Sequence, residues 1–231
     1  MTKKRVLILG GATKGGIGEA ISERLRWLGH ETWAKGPEAL DVTFDDEFEF
    51  RFNHVLNEFQ PDSVVYSVGV NQLEWSHRLD RKSFERLMNV NVWGFINVLK
   101  GLQASGRAYS VLAVTSDAAT RPMRTSMVYC ASKAALNQVI RVASRELAAS
   151  GWRINGLAPG KVEGTAMTEY VDERVLEIRN WEREHAERYE RESSPIGRKL
   201  STAEVAAAAC DVLLSEALGW TGDIVTVNGG R

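Results

Sequence analysis

Val6-Leu7-Ile8-Leu9-Gly10-Gly11-Ala12-Thr13-Lys14-Gly15-Gly16-Ile17-Gly18 passes from four consecutive apolar residues through a glycine-rich loop into a helical pattern. The apolar run predicts a first strand over Val6 to Leu9, and the periodicity from Ile17 to Leu28 predicts the helix that follows it. Glycines at such a junction let the main chain approach a pyrophosphate, while the helix start offers free N–H groups and a favourable dipole. Gly11, Thr13, Lys14, Gly16, Ile17 and Gly18 are therefore candidate nucleotide-binding residues.

The same alternation continues outward from this loop. Strands are predicted over Thr32 to Ala34, Ala39 to Val42, Ser63 to Val68, Tyr109 to Thr115, Trp152 to Leu157 and Ile224 to Val227. Helices are predicted over Phe44 to Phe59, Phe84 to Leu102, Val128 to Ala149 and Thr202 to Leu214. No internal repeat, low-complexity segment or linker interrupts the series, so it reads as one parallel sheet with crossover helices. A chain of 231 residues suits a single α/β domain.

Lys plus Arg (29) nearly balance Asp plus Glu (30), which argues against nucleic acid or an anionic membrane as partner and for a small molecule. The two cysteines, Cys130 and Cys210, cannot make a disulfide framework, and a reducing cytoplasm is the compartment expected. The apolar run after the basic Met1-Thr2-Lys3-Lys4-Arg5 is too short for a signal peptide, and no stretch is long enough to span a bilayer. His185 has no visible ligand partner, and no metal site is expected.

Tyr129-Cys130-Ala131-Ser132-Lys133 carries the chemistry. On a helix, Tyr129 and Lys133 share a face, so phenol and ammonium point into one site. Tyrosine ionises near ~10, and an adjacent cation is expected to lower that value into a useful range. Ser116, thirteen residues before Tyr129 and at the end of a predicted strand, would hold a carbonyl or hydroxyl oxygen beside the phenol. Ligands of open α/β sheets sit at that end.

The glycine loop, Asn91, Thr115-Ser116 and the Tyr-x-x-x-Lys pair together resemble the short-chain dehydrogenase/reductase family, in its single-domain form, with matches from Leu7 to Gly230. The resemblance implies a Rossmann-type doubly wound parallel sheet in three α/β/α layers. It implies a catalytic set of Asn91, Ser116, Tyr129 and Lys133, in which Asn91 bends a helix and holds a proton-relay water and Lys133 also binds the nicotinamide ribose. Asp41-Val42 resembles the pair that contacts adenine. Ser67 and Gly69 fall in the family's Asn-Asn-Ala-Gly segment, here Tyr66-Ser67-Val68-Gly69. Pro159, Gly160 and Val162 fall in the segment that orients nicotinamide, with Thr165 beyond it. Four stretches depart from the pattern: Gly10 stands where threonine is usual and Gly11 to Gly16 is one residue longer than the usual interval, the chain before Asp41 lacks a helix, Tyr66-Ser67-Val68-Gly69 lacks the asparagine, and Glu163-Gly164 sets Thr165 one residue later.

An acidic residue after the second strand would select NAD, whereas basic residues suit the 2′-phosphate of NADP. The count from Gly18 places Gly36 at that point, with Lys14 and Lys35 nearby, so NADP(H) is favoured and NAD(H) permitted. The stretch from Thr168 to Ser194 repeats Val171, Val175, Ile178, Trp181, His185 and Tyr189 on one helical face, with Glu184/Arg188 and Glu187/Arg191 as i,i+4 pairs, which predicts one long amphipathic helix. By resemblance, residues 163–195 form the variable lid over the substrate; the alternative is a helix packed on the protein's own core or on a neighbouring subunit.

Arg121 and Arg124, beside the expected substrate mouth, would attract an anionic substrate or an acidic carrier protein, or are ordinary surface arginines. The function implied is hydride transfer between a nicotinamide cofactor and a carbonyl or secondary alcohol. The substrate would be a 3-oxoacyl thioester on acyl carrier protein, or a secondary alcohol or sugar. A nucleotide sensor without catalysis is the alternative class. The resemblance also implies a homotetramer, or a homodimer.

Overall fold

The structure, a computed structural model, describes residues 2–43 and 45–231. Six strands form one sheet in the order β2-β1-β3-β4-β5-β6, with every neighbouring pair parallel. They are β1 (Arg5–Leu9), β2 (Glu31–Lys35), β3 (Ser63–Tyr66), β4 (Ser110–Val114), β5 (Arg153–Pro159) and β6 (Ile224–Val227). Strand order reverses between β1 and β3, and the loops leaving those two strands part there to open a crevice.

Alternate residues of each strand supply two separate cores. Leu7, Leu9, Val64, Tyr66, Val111 and Ile154 face α2 (Asp45–Phe59), α4 (Gly94–Ala104) and α5 (Met127–Leu147). Val6, Ile8, Val65, Leu112 and Leu157 face α1 (Ile17–Trp27) and α8 (Thr202–Leu214). Burial on both faces is what produces the uninterrupted apolar runs in the sequence. The result is the three-layer doubly wound sheet expected.

One expectation fails beside β2. Ala39 to Val42 is not a strand: the Ala39 and Leu40 N–H groups both donate to Gly36 O in a turn, and Asp41 Oδ1 accepts from Thr43 N at 2.9 Å. Leu40 and Val42 alternate because both plug the core. Phe44, expected to begin the next helix, lies outside the described residues.

The long helix expected over Phe84 to Leu102 is α3 (Arg81–Met88) joined to α4 through a π-helical turn at Asn89–Trp93. Such turns insert one residue into a helix and re-aim the side chains beyond it. Gly94, where α4 begins, packs so closely that an added Cβ would stand 2.4 Å from Val42 Cγ2.

The single helix expected over Thr168 to Ser194 is two: α6 (Ala166–Arg179) and α7 (Arg183–Glu192). Asn180 breaks it by taking a left-handed conformation, φ 52°, ψ 51°, which asparagine tolerates better than most residues. The Glu184/Arg188 and Glu187/Arg191 pairs do not close. The region is instead tied by Lys161, whose Nζ lies 2.5 Å from Asp172 of α6 and 3.1 Å from Glu190 of α7.

Candidate active site

One cleft of about 1450 Å³ lies at the carboxyl ends of the strands and under α6 and α7. Its floor begins at Gly10, whose φ of +81° suits glycine and whose added Cβ would meet Ser67 O at 2.6 Å. That contact brings the first loop against the end of β3. Helix α1 then starts with no side chain capping its first N–H groups, which leaves a positive helix end facing the cleft. Glu19 from its first turn accepts from Gly15 N at 2.6 Å and braces the loop.

Tyr129 and Lys133 stand one turn apart on α5, 7 % and 3 % exposed, with Ser116 two residues past β4. Ser116 Oγ accepts from Ala118 N at 3.2 Å and so caps a short 3-10 turn over Asp117–Ala119. Burial pushes the Tyr129 phenol up to about 12, only partly offset by its hydrogen bond with Ser116. This corrects the expectation of a phenol made acidic by Lys133. The ammonium is 5.9 Å from the Tyr129 ring centroid and donates instead to Val114 O at 3.2 Å, and burial holds its own pKa down to about 8. The sequence places a cation near a phenol but does not tell that both are buried. Tyr129 is thus a neutral phenol, the form that gives a proton away.

Asn91, fully buried, accepts from Val70 N at 2.8 Å and donates to Val70 O and Ser132 Oγ, both at 2.9 Å. Its side chain is a strut between the loop after β3 and α5, and it does not line the cleft.

The cleft gathers most of the other expected residues: Thr13, Gly16, Ile17 and Gly18 from the first loop, Ser67 and Gly69 after β3, and Pro159, Gly160, Val162 and Thr165 after β5. Thr165 Oγ1 is already committed, accepting from Thr168 N at 3.1 Å as the cap of α6. Gly11, Lys14, Lys35, Asp41 and Val42 lie outside the cleft. Val42 is core, and its carbonyl accepts from Asn97 Nδ2 at 3.0 Å. Lys14 is exposed, and Lys35 Nζ rests 3.7 Å from the Trp33 ring centroid.

Three groups escaped the sequence reading. Glu38 folds back so that its Oε2 lies 2.8 Å from where a Cβ on Gly36 would be, supplying a carboxylate at the position where the count found none. Asp117, next to Ser116, is 2 % exposed and lines the cleft. Glu190 receives Lys161 and the Arg231 guanidinium, and these hold its carboxyl low although burial alone would raise it. Adjacency to Ser116 was the one available signal for Asp117; the other two depend on the chain turning back on itself.

The site fits a nicotinamide dinucleotide: beside the uncapped helix start, a Cβ on Gly69 would stand 3.2 Å from Lys133 Nζ, in space that only glycine leaves open. Among the described residues, no cluster of metal-ligating side chains occurs.

Residues 18–231 match the family model described as enoyl-(acyl carrier protein) reductase. The chain is 31 % identical over 160 residues to sorbitol-6-phosphate 2-dehydrogenase of Klebsiella pneumoniae, covering 67 % of this chain and 60 % of that protein, under two thirds of its length. It is 27 % identical over 241 residues to the 3-oxoacyl-[acyl-carrier-protein] reductase MabA of Mycobacterium avium, covering 98 % and 89 %. A short chain dehydrogenase family protein from Francisella tularensis shares the fold with a TM-score of 0.85 at 21 % identity, covering 99 % and 98 %. Chains of this fold have been crystallised with NADP and with NAD.

Proposed function

The chain belongs to the short-chain dehydrogenase/reductase family, and from that premise we propose a reversible oxidoreductase of carbonyls and secondary alcohols in which Tyr129, Ser116 and Lys133 do the chemistry. The nicotinamide ring supplies or takes the hydride. In reduction, Tyr129 would give its proton to the developing alkoxide, Ser116 would hold that oxygen by a hydrogen bond, and Lys133 would hold the ribose. The observation that carries this reading is the convergence of the three buried side chains on one cleft with the glycine loop.

Tyr129→Phe tests it. Loss of the phenolic proton should cut kcat by about 10²-fold or more, while the dissociation constant of the cofactor stays within a factor of about 3. Full turnover in this variant would falsify the assignment. Tight cofactor binding with no turnover of any ketone or alcohol by the wild type would favour the sensor instead.

The finer assignments belong to this reading. NADP(H) draws support from Lys14 at the loop and is opposed by Glu38 at Gly36. Acyl carrier protein as a partner draws support from Arg121 and Arg124 at the mouth and from the match to a relative that acts on it. A homotetramer draws support from Phe84, Trp93, Met127 and Val142, large apolar side chains 38–57 % exposed on the α3–α4 and α5 helices; light scattering tests it. A cytoplasmic location draws support from Cys130 and Cys210 both being free thiols. Among the described residues, no helix is long and apolar enough to cross a membrane.

A further inference from the structure

β2 is an outer strand of the sheet, and the segment after it that was expected to add a strand, Ala39 to Val42, forms a turn instead. The inner side of β2 is fully used: Glu31 N donates to Lys4 O and Lys35 O accepts from Gly10 N, both at 2.9 Å, and the register runs unbroken from Arg5↔Glu31 to Leu9↔Lys35. The N–H and C=O of one residue point to the same side of a strand, and successive residues alternate. Glu31, Trp33 and Lys35 therefore turn their main chain to β1, while Thr32 and Ala34 turn theirs outward. Among the described residues, no group hydrogen-bonds to the main chain of Thr32 or Ala34.

We propose that this edge is an interface between two copies of the chain, in which β2 pairs antiparallel with β2 of a second copy about a two-fold axis at Trp33. The alternation fixes the hydrogen bonds. Thr32 N–H donates to the partner's Ala34 O, Ala34 N–H donates to the partner's Thr32 O, and the axis repeats both bonds in the other direction. The same register sets Glu31 opposite the partner's Lys35 and Lys35 opposite the partner's Glu31. Glu31-Thr32-Trp33-Ala34-Lys35 carries opposite charges at its two ends, so it is complementary to itself when antiparallel.

The side chains leave these contacts open. Glu31 reaches only Lys3, at 3.8 Å and in solvent. Among the described residues Lys35 has no carboxylate partner, its Nζ resting 3.7 Å from the Trp33 ring centroid. Trp33 itself is half-buried, edge-on to Phe59 at 5.4 Å between ring centroids, and would meet the partner's Trp33 on the axis. Proteins commonly blunt an exposed edge with a bulge, a proline or a lysine. β2 has neither bulge nor proline, and the register sets its lysine against a glutamate. An extended peptide from another protein would use the same main-chain groups; the complementarity of β2 with itself favours a second copy. None of these residues belongs to α3–α5, so the two surfaces can be tested separately.

Light scattering of the full chain tests the pairing, with melting temperatures recorded so that loss of fold is not read as loss of assembly. Ala34→Pro deletes an outward N–H and places the ring where the partner strand would lie, while the inner ladder keeps all its bonds. It should lower the mass of the assembly about twofold. Glu31→Lys and Lys35→Glu each set like charges opposite one another and should raise the dissociation constant about 10-fold. Mixing these two variants, or combining both changes in one chain, should restore wild-type assembly, because every charge then meets its opposite.

A wild type that is monomeric, or an Ala34→Pro protein that folds and keeps the wild-type mass, overturns the proposal. The second result would also be that of an edge reserved for another protein's peptide. If Ala34→Pro does not fold, the charge series decides: single reversals without effect, or mixtures that restore nothing, overturn the pairing. Neither turnover nor cofactor binding enters these readouts, so failure here leaves hydride transfer standing.

Discussion

Lys133 on α5 donates to the main-chain oxygen of Val114, the last residue of β4, at 3.2 Å. The bond ties the helix that carries Tyr129 to the strand that leads to Ser116. Among the described residues, this cation, 3 % exposed, has no carboxylate partner. Hydrogen bonding to one carbonyl offsets only part of the cost of desolvating a charge.

Lys133→Met should therefore stabilise the protein by about 1–3 kcal/mol at pH 6.5 while abolishing turnover. The folded-state pKa is lowered to about 8 from 10.5, so below pH 8 the lysine is protonated in both states and the burial cost is full. Between about 8 and 10.5 the folded protein sheds the proton while the unfolded chain keeps it, and wild-type stability rises with pH. Urea unfolding at pH 6.5 and 9.5 should show the gap between variant and wild type narrowing. A variant less stable than wild type at pH 6.5 would contradict this account.

Gly69→Ala places a methyl group 3.2 Å from Lys133 Nζ and 3.5 Å from Asn91 Oδ1. The ammonium is the movable end of a long side chain, so the fold should lose no more than about 1 kcal/mol. Cofactor affinity should fall about 10-fold as the ammonium is displaced. Titration calorimetry with a thermal melt separates the two; unchanged affinity rules out the proposed ribose contact.

Glu38→Gln removes the carboxylate standing 2.8 Å from a Cβ on Gly36. A carboxylate there repels a 2′-phosphate and accepts from ribose hydroxyls. The ratio of NADP to NAD affinity should rise about 10-fold in the variant, which dissociation constants for both cofactors will show. An unchanged ratio would take Glu38 out of cofactor selection.

Asn180→Ala forces a β-carbon-bearing residue without local hydrogen-bonding capacity into φ 52°, ψ 51°. The expected cost is about 1–2 kcal/mol, and Asn180→Gly should be near neutral. Melting temperatures of the two variants provide the check, and equal melting temperatures would mean that the α6–α7 corner rearranges.

Much of this was legible before the structure. Ile17, Thr202–Leu214 and Ile224–Val227 fall where periodicity puts them, because strands buried on two faces and helices buried on one leave different spacings. The strand expected at Ala39 to Val42 was misread because alternation of Leu40 and Val42 records burial, which a turn can also produce. The helix expected across Asn180 was misread because Val171, Val175, Ile178, Trp181 and Tyr189 keep helical steps on both sides of the corner, so the period carried through the break. Tyr129, Ser116 and Lys133 were found by their spacing together with the family resemblance of the surrounding motifs. Their proton affinities were not, since these depend on how deep the cleft buries them. Glu38 and Arg231 reach their places through main-chain reversals that no local pattern announces.

The sheet order described above also governs how the chain must assemble in time. With every strand pair parallel, no two neighbours can zip together from a hairpin: Arg5 must find Glu31, and Gly156 must find Ile224, across a complete crossover. Loop closure then precedes the contacts that reward it, so folding should be slow for a chain of this size and pass through a populated collapsed state. The glycine loop shares in that order, because Gly10 packs on Ser67 only once β1 and β3 have met. Its geometry, and with it the ability to hold a nucleotide, should be among the later properties to appear during refolding.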